Sequence, residues 1–194
     1  RIFEGTNEIN RMLTVSMILR KANKGEIDLL GPAKEIAKEL LSIPDFNNTN
    51  GSVIQNEITH IKNFKKALLL VAGAAVQKFG KKLSEEQEVL MNIADIINTI
   101  YLCESTLLRV QKAGSNDDYK NYNTQLKMLK VLVYDSCDKI NKHGKDVINS
   151  ISEGDESMMM KLGLKRFTKH SGLNSVKLRR EIAEKVIEEN KYCF

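Results

Sequence analysis

The residues whose types and order could do chemistry stand at the head of the chain, in the string Arg1-Ile2-Phe3-Glu4-Gly5-Thr6-Asn7-Glu8-Ile9-Asn10-Arg11. Glu4 is a carboxylate between an apolar pair and a glycine, just ahead of Thr6, a residue type that caps helices. Set among apolar neighbours, a carboxylate is desolvated, its pKa rises, and it becomes a base able to take a proton. The alternative for the same residues is a solvated Glu4 at a frayed end, and the physics of the string taken alone favours it. No other residues compete for a catalytic role. Cys103, Cys137 and Cys193 are odd in number, widely spaced and form no C-x-x-C pair, which fits unpaired, buried thiols in a reducing compartment. None of His60, His143 and His170 lies four residues from another His or a Cys, so no helical metal site is expected and structural roles are. The glycosylation patterns at Asn47 and Asn50 have no other sign of secretion beside them.

The elements that must position Glu4 are helical. Of 194 residues, 42% are hydrophobic and 28% charged, with 2 Pro, no Trp and 6% aromatic residues. That is ordinary globular usage without the turn residues and aromatics of an all-β fold. Apolar residues at three- and four-residue intervals predict helices over Thr6 to Asn23, Ser52 to Phe79, Ser84 to Gly114, Tyr119 to Ser152 and Ser175 to Glu189. Ser52 with Gln55 and Ser84 with Gln87 read as capping boxes, and Gly80 as a stop. Pro32 reads as the first residue of a short helix ending near Ser42. Short links between long helices predict an all-α, up-and-down bundle. The Asn47 to Gly51 loop divides it into 1-50 and 51-194. No apolar run reaches the roughly 20 residues of a membrane span and no leader is seen, so a secreted precursor and an integral membrane protein are not expected. A chain that begins with Arg1 reads as a piece of a longer one.

The net charge of +5 is local. Lys161, Lys165, Arg166, Lys169, Lys177, Arg179 and Arg180 occur between residues 161 and 180 without an acid, leaving the rest of the chain slightly acidic. The segment comes after Met158, Met159 and Met160 and is interleaved with Leu162, Leu164 and Phe167. Pairing with acids of the same protein is the favoured reading, an anionic membrane surface the second. Nucleic acid is last, since no helix-turn-helix, zinc or RNP-like motif accompanies the charge.

The Arg1 to Arg11 string resembles, without a break, the signature near the end of the catalytic domain of acyl-CoA dehydrogenases: Ile/Tyr-Phe/Tyr-Glu-Gly-Thr-x-x-Ile-x-Arg. By length and layout, the remainder of the chain resembles the C-terminal extension of the very-long-chain type. The resemblance implies the end of a catalytic helical domain over 1-50 and a distal helical bundle over 51-194. It implies an FAD-dependent oxidoreductase that dehydrogenates fatty acyl-CoA thioesters across the α and β carbons in β-oxidation. Glu4 stands where the family keeps its catalytic base, and its backbone N–H where the thioester carbonyl is polarised. Thr6, Asn7 and Glu8 match positions that contact FAD, and Gly5 the point where the backbone passes the substrate. Most of the flavin and thioester pockets in that family are built by parts not in this sequence, so these 194 residues alone are expected to bind no FAD and to be inactive. The implied partners are the rest of the dehydrogenase chain, the acyl-CoA, an electron-transfer flavoprotein and a second copy in a homodimer, and no nucleic acid. Mixed charge between Arg20 and Gly51 implies a cytoplasmic enzyme with at most weak peripheral contact at the inner membrane face. The rival reading is a non-enzymatic helical bundle for protein interaction, dimerisation or docking, in which Glu4 has no catalytic duty.

Overall fold

The computed structural model describes residues 5–40, 53–115 and 121–191, and every regular element among them is a helix. The core is three long helices, α3 (Gln55–Phe79), α4 (Gln87–Gly114) and α5 (Tyr122–Ile151), each roughly 37 to 45 Å long. Their pairings run in opposite directions. Asn92 faces His143 and Cys103 faces Ser136 across α4 and α5, while Lys65 on α3 pairs with Glu104 on α4. Phe64, Ile93, Ile96, Leu129, Ile140 and Ile148 fill the space between them and are fully buried.

Smaller helices clothe this core: α1 (Asn7–Asn23), α2 (Leu30–Leu40), α6 (Gly154–Phe167) and α7 (Ser175–Glu189). α1 lies on α4, α2 on α3, α6 on α3 and α5, and α7 on α5. α6 approaches α5 closely at Gly144, where an added Cβ would sit 2.7 Å from the buried Leu164 side chain. Asn141 of α5 donates to Thr168 Oγ1 at 2.8 Å, and that hydroxyl donates to the Leu164 carbonyl at 2.8 Å, closing the end of α6. α7 buries no residue; Arg179 grips both oxygens of Asp135, and Lys127 pairs with Glu181 at 2.8 Å.

Local chemistry departs from the expected caps. Ser84 donates to the Lys81 carbonyl within a 3-10 turn, Gly80–Glu85, and α4 starts at Gln87 with no side-chain cap on its first turn. The chain leaves α3 through Gly80, whose φ of 53° suits glycine, and a 3-10 turn satisfies the next amides. No capping box is needed there. α3 likewise starts at Gln55 behind Ile54, with no side-chain cap; Ser52 and the Asn47 to Gly51 loop lie outside the described residues, as do Asn50, Pro44, Ser42, Tyr119 and Cys193. Pro32 is the third residue of α2 and not its first: Asp28 Oδ1 accepts from the Gly31 N–H at 3.0 Å, which starts the helix earlier. Pro32 still falls in the first turn, where its missing N–H costs nothing. The basic segment is divided between α6 and α7, and the sequence pattern had not separated α6 as an element of its own.

A polar cluster sits where α3 meets the α6–α7 connection. His60 and His170 stack with ring centres 4.7 Å apart, Tyr134 meets His170 edge-on at 5.0 Å, and buried Glu57 faces them. Burial, helped by His170, pulls His60 down from 6.5 to about 4. An unfolded chain therefore binds a proton here that the folded chain refuses, so stability falls as pH drops from about 6.5 to about 4. At pH 5 this one ring accounts for about 2 kcal/mol. His60→Phe keeps a ring in the stack but cannot titrate. It is expected to reduce by that amount the loss of unfolding free energy between pH 7 and pH 5 in urea titrations; an unchanged loss would show that His60 does not exclude the proton.

Candidate functional site

Of the residues singled out in the sequence, Gly5, Thr6, Asn7 and Glu8 are described and lie together at the start of α1; Glu4 is outside the described residues. Thr6 is extended and its Oγ1 accepts from the Ile9 N–H at 3.3 Å. This cap fixes where the helix begins. Gly5 has a φ of +101°, and a Cβ added to it would stand 3.0 Å from Asn10 Oδ1. Both observations require glycine: an L side chain avoids that backbone, and Asn10 already fills the space. Asn7 and Glu8 are exposed on the first turn, so the turn presents polar groups outward.

The rotation of α1 is set further along. Arg11, one turn past the cap, is ion-paired with Asp95 on α4. His143 on α5 donates from Nδ1 to Asn92 Oδ1, 2.7 Å away, which leaves its Nε2 3.9 Å from the same Asp95 carboxylate. Val15 is buried against the bundle, and Met12 and Leu19 pack beside it. On the other face Ile9, Leu13 and Met17 are 52%, 52% and 42% exposed. α1 is thus held on one side and presents an uncovered apolar stripe on the other.

The remaining candidates have structural roles. Cys103 and Cys137 are buried; burial raises both thiols, Cys137 to about 12, so neither is a nucleophile near neutral pH. Among the described residues no group of three or more His, Cys, Asp or Glu is placed to hold a metal ion. A cavity of about 440 Å³ lies between α1, α2, α3 and α4, walled by residues such as Ile18, Leu19, Leu69 and Ile97. Its lining is apolar apart from Asn23 and Asp28.

The family model described as acyl-CoA dehydrogenase, C-terminal domain, matches residues 63–166. The chain belongs to this family. The match covers most of α3 and runs through α6, the bundle proper. Two relatives of the acyl-CoA dehydrogenase family extend the likeness to α1 and α2. A "Probable acyl-CoA dehydrogenase" of Bacillus subtilis (strain 168) is 36% identical over 192 residues, covering 99% of this chain and 32% of the relative. The crystal structure of an acyl-CoA dehydrogenase complexed with FAD from Bacillus anthracis superposes with a TM-score of 0.93 at 37% identity, covering 100% of this chain and 33% of that one. The chain spans about a third of the length of both relatives.

Sequence reasoning missed Asp95 and Asn92, which orient α1 together with His143, for which a structural role was expected; Asp95 lies 84 positions from Arg11. Asp95 does carry a weak signal, a carboxylate among apolar residues in the middle of a central helix. Asp95→Asn removes the charge and keeps the shape. Because the Arg11 and Asp95 side chains are 31% and 25% exposed, the cost is below that of a fully buried pair, about 1–2 kcal/mol. By hydrogen exchange, α1 amides are expected to lose about tenfold in protection while the α3 and α5 cores keep theirs; unchanged α1 protection would remove Asp95 from the support of the site.

Proposed function

We propose that this chain is the C-terminal part of an FAD-dependent acyl-CoA dehydrogenase, carrying the catalytic base and one edge of the flavin site on the segment that leads into α1. The observation that carries the reading is the unbroken string from Arg1 to Arg11 joined to a first turn whose geometry needs Gly5 and Thr6. Similarity over the whole chain to an acyl-CoA dehydrogenase complexed with FAD supports it.

The residues present fit a flavin nucleotide at this edge. With its Oγ1 accepting from Ile9, Thr6 keeps its hydroxyl proton to donate outward. Exposed Asn7 offers both a donor and an acceptor, and Glu8, an anion, suits a sugar or ribityl hydroxyl and not a phosphate. When bound, FAD supplies the acceptor for the hydride that leaves the β carbon. The Glu4 carboxylate takes the proton from the α carbon of the thioester. The Glu4 N–H donates to the thioester carbonyl, whose oxygen gains charge as that proton leaves. Gly5 lets the backbone lie against the substrate, and the cap at Thr6 with the clamp at Arg11 sets the direction from which Glu4 arrives.

The finer reading is the extended, very-long-chain-like subgroup, with residues 1-50 closing the catalytic domain and 51-194 forming a distal bundle. The length and layout of the chain support that subgroup, while the uncovered stripe of Ile9, Leu13 and Met17 supports a covering body beyond this chain. Electron-transfer flavoprotein as acceptor and a homodimer go with that reading, as does a cytoplasmic site with peripheral membrane contact at most. Among the described residues no helix is long and apolar enough to cross a membrane.

Glu4→Gln in the full-length protein is expected to bind flavin normally, read from its absorbance, and to lower turnover of acyl-CoA by at least about a thousandfold. Turnover within tenfold of the parent would remove Glu4 from the mechanism. The 194-residue chain by itself is expected to purify without flavin; stoichiometric flavin absorbance would overturn the view that the site is shared with the rest of the enzyme.

A further inference from the structure

We propose that the groove between α5 and α6 is a binding site for a phosphate group carried on a partly apolar ligand, with Lys145, Lys161 and Lys165 as its cationic partners. The site is separate from the first turn of α1 and does not depend on the role given to Glu4. It begins from the basic segment that the family assignment leaves unexplained.

The structure sorts that segment into spent and unspent charge. Arg166 reaches the Glu39 carboxylate and carbonyl and lies over the Phe167 ring; Lys177 and Arg179 pair with Glu181 and Asp135. Lys161, Lys165 and Lys169 make no ion pair among the described residues, nor does Arg180, which lies outside the groove that holds these three lysines with Lys145, itself unpaired, across from them. The four lysines line one groove of about 1060 Å³, a volume that takes a ligand of nucleotide size. Lys161 and Lys165 are four residues apart on α6 and so stand in line along one wall, with Lys169 just past the end of the helix. Four lysines against two carboxylates, Asp138 and Glu153, leave this concavity with an excess of positive charge that an anion offsets.

The kind of anion is decided by the other residues in the groove. Asp138 and Glu153 are also in its lining, Asp138 about 10 Å from Lys145 along α5 and Glu153 in the link between α5 and α6. An acidic peptide spreads its carboxylates over such a length and meets both. A phosphate concentrates its charge at one point and takes charge-assisted bonds from several lysines at once, which a carboxylate cannot match. Met158 and Leu162 are 57% and 62% exposed and line the same wall, so the rest of the ligand has an apolar face. A nucleotide and a phospholipid headgroup with its acyl chains both satisfy this description.

The test uses the 194-residue chain at low ionic strength in two arms: calorimetric titration with ADP, and flotation with phosphatidylglycerol vesicles against phosphatidylcholine vesicles. Lys161→Gln/Lys165→Gln and, on the opposite wall, Lys145→Gln are compared with Lys81→Gln/Lys82→Gln, two exposed lysines on the turn between α3 and α4. Saturable binding in at least one arm is expected. It should weaken at least tenfold in the double groove variant and measurably in Lys145→Gln, and hold in the control, with melting curves unchanged. ADP binding without flotation identifies a soluble phosphate ligand, and flotation confined to phosphatidylglycerol identifies the headgroup. No saturable binding in either arm, or equal weakening in groove and control variants, overturns the proposal.

Discussion

One carboxylate fixes the geometry on which the N-terminal site depends. Asp95 on α4 receives Arg11 from α1 and faces His143 from α5, itself held by Asn92. Three helices therefore meet at one anion near the middle of the bundle. The arrangement is directional in a way that the apolar packing of Val15 is not. A helix seated on apolar contacts alone can slip or roll by a fraction of a residue at small cost, whereas each residue of displacement turns α1 by roughly 100° and moves it 1.5 Å. An ion pair sheltered from water resists both movements. The Thr6 cap then carries the setting outward to Gly5, where the backbone φ of +101° turns the chain.

That long-range fixing explains what could and could not be read in the sequence. The helices of the bundle were legible because burial imposes a three- and four-residue period over 25 residues or more, as in α3, α4 and α5. Thr6 was legible because its cap is a contact across three residues. Ser84 was misleading for the same reason. Its hydroxyl had another local acceptor in the Lys81 carbonyl, and the turn that precedes α4 uses it. Asp95 carried only a weak signal, its place among apolar residues, because its meaning lies with Arg11, far off in sequence. The identity of the site rested on the first eleven residues, a resemblance and not a period.

The charged segment after residue 160 shows how a single run of like residues takes several functions once folded. Arg166 points back to α2 and helps join it to α6 through Glu39. Arg179 holds α7 on α5 through Asp135, and this matters more than usual because α7 buries no side chain and has little apolar attachment. The favoured expectation of intraprotein pairing accounts for these residues and for Lys177. It does not account for Lys161, Lys165 and Lys169, which line the groove and pair with none of the acids that the others use.

The two faces of α1 are engaged differently. Its inner face is held through Arg11, Val15 and the packed Met12 and Leu19, with the apolar cavity beside them. Its outer face, with Ile9, Leu13 and Met17, is as apolar as the inner one and stays uncovered among the described residues. A helix with two apolar faces belongs between two bodies, and the first turn, whose polar groups point outward, lies at the edge of the seam between them. On the function proposed above, a base carried at that seam is positioned by the bundle behind it and shielded from water only when a second body covers it, so the bundle would set the direction of approach and the cover the desolvation.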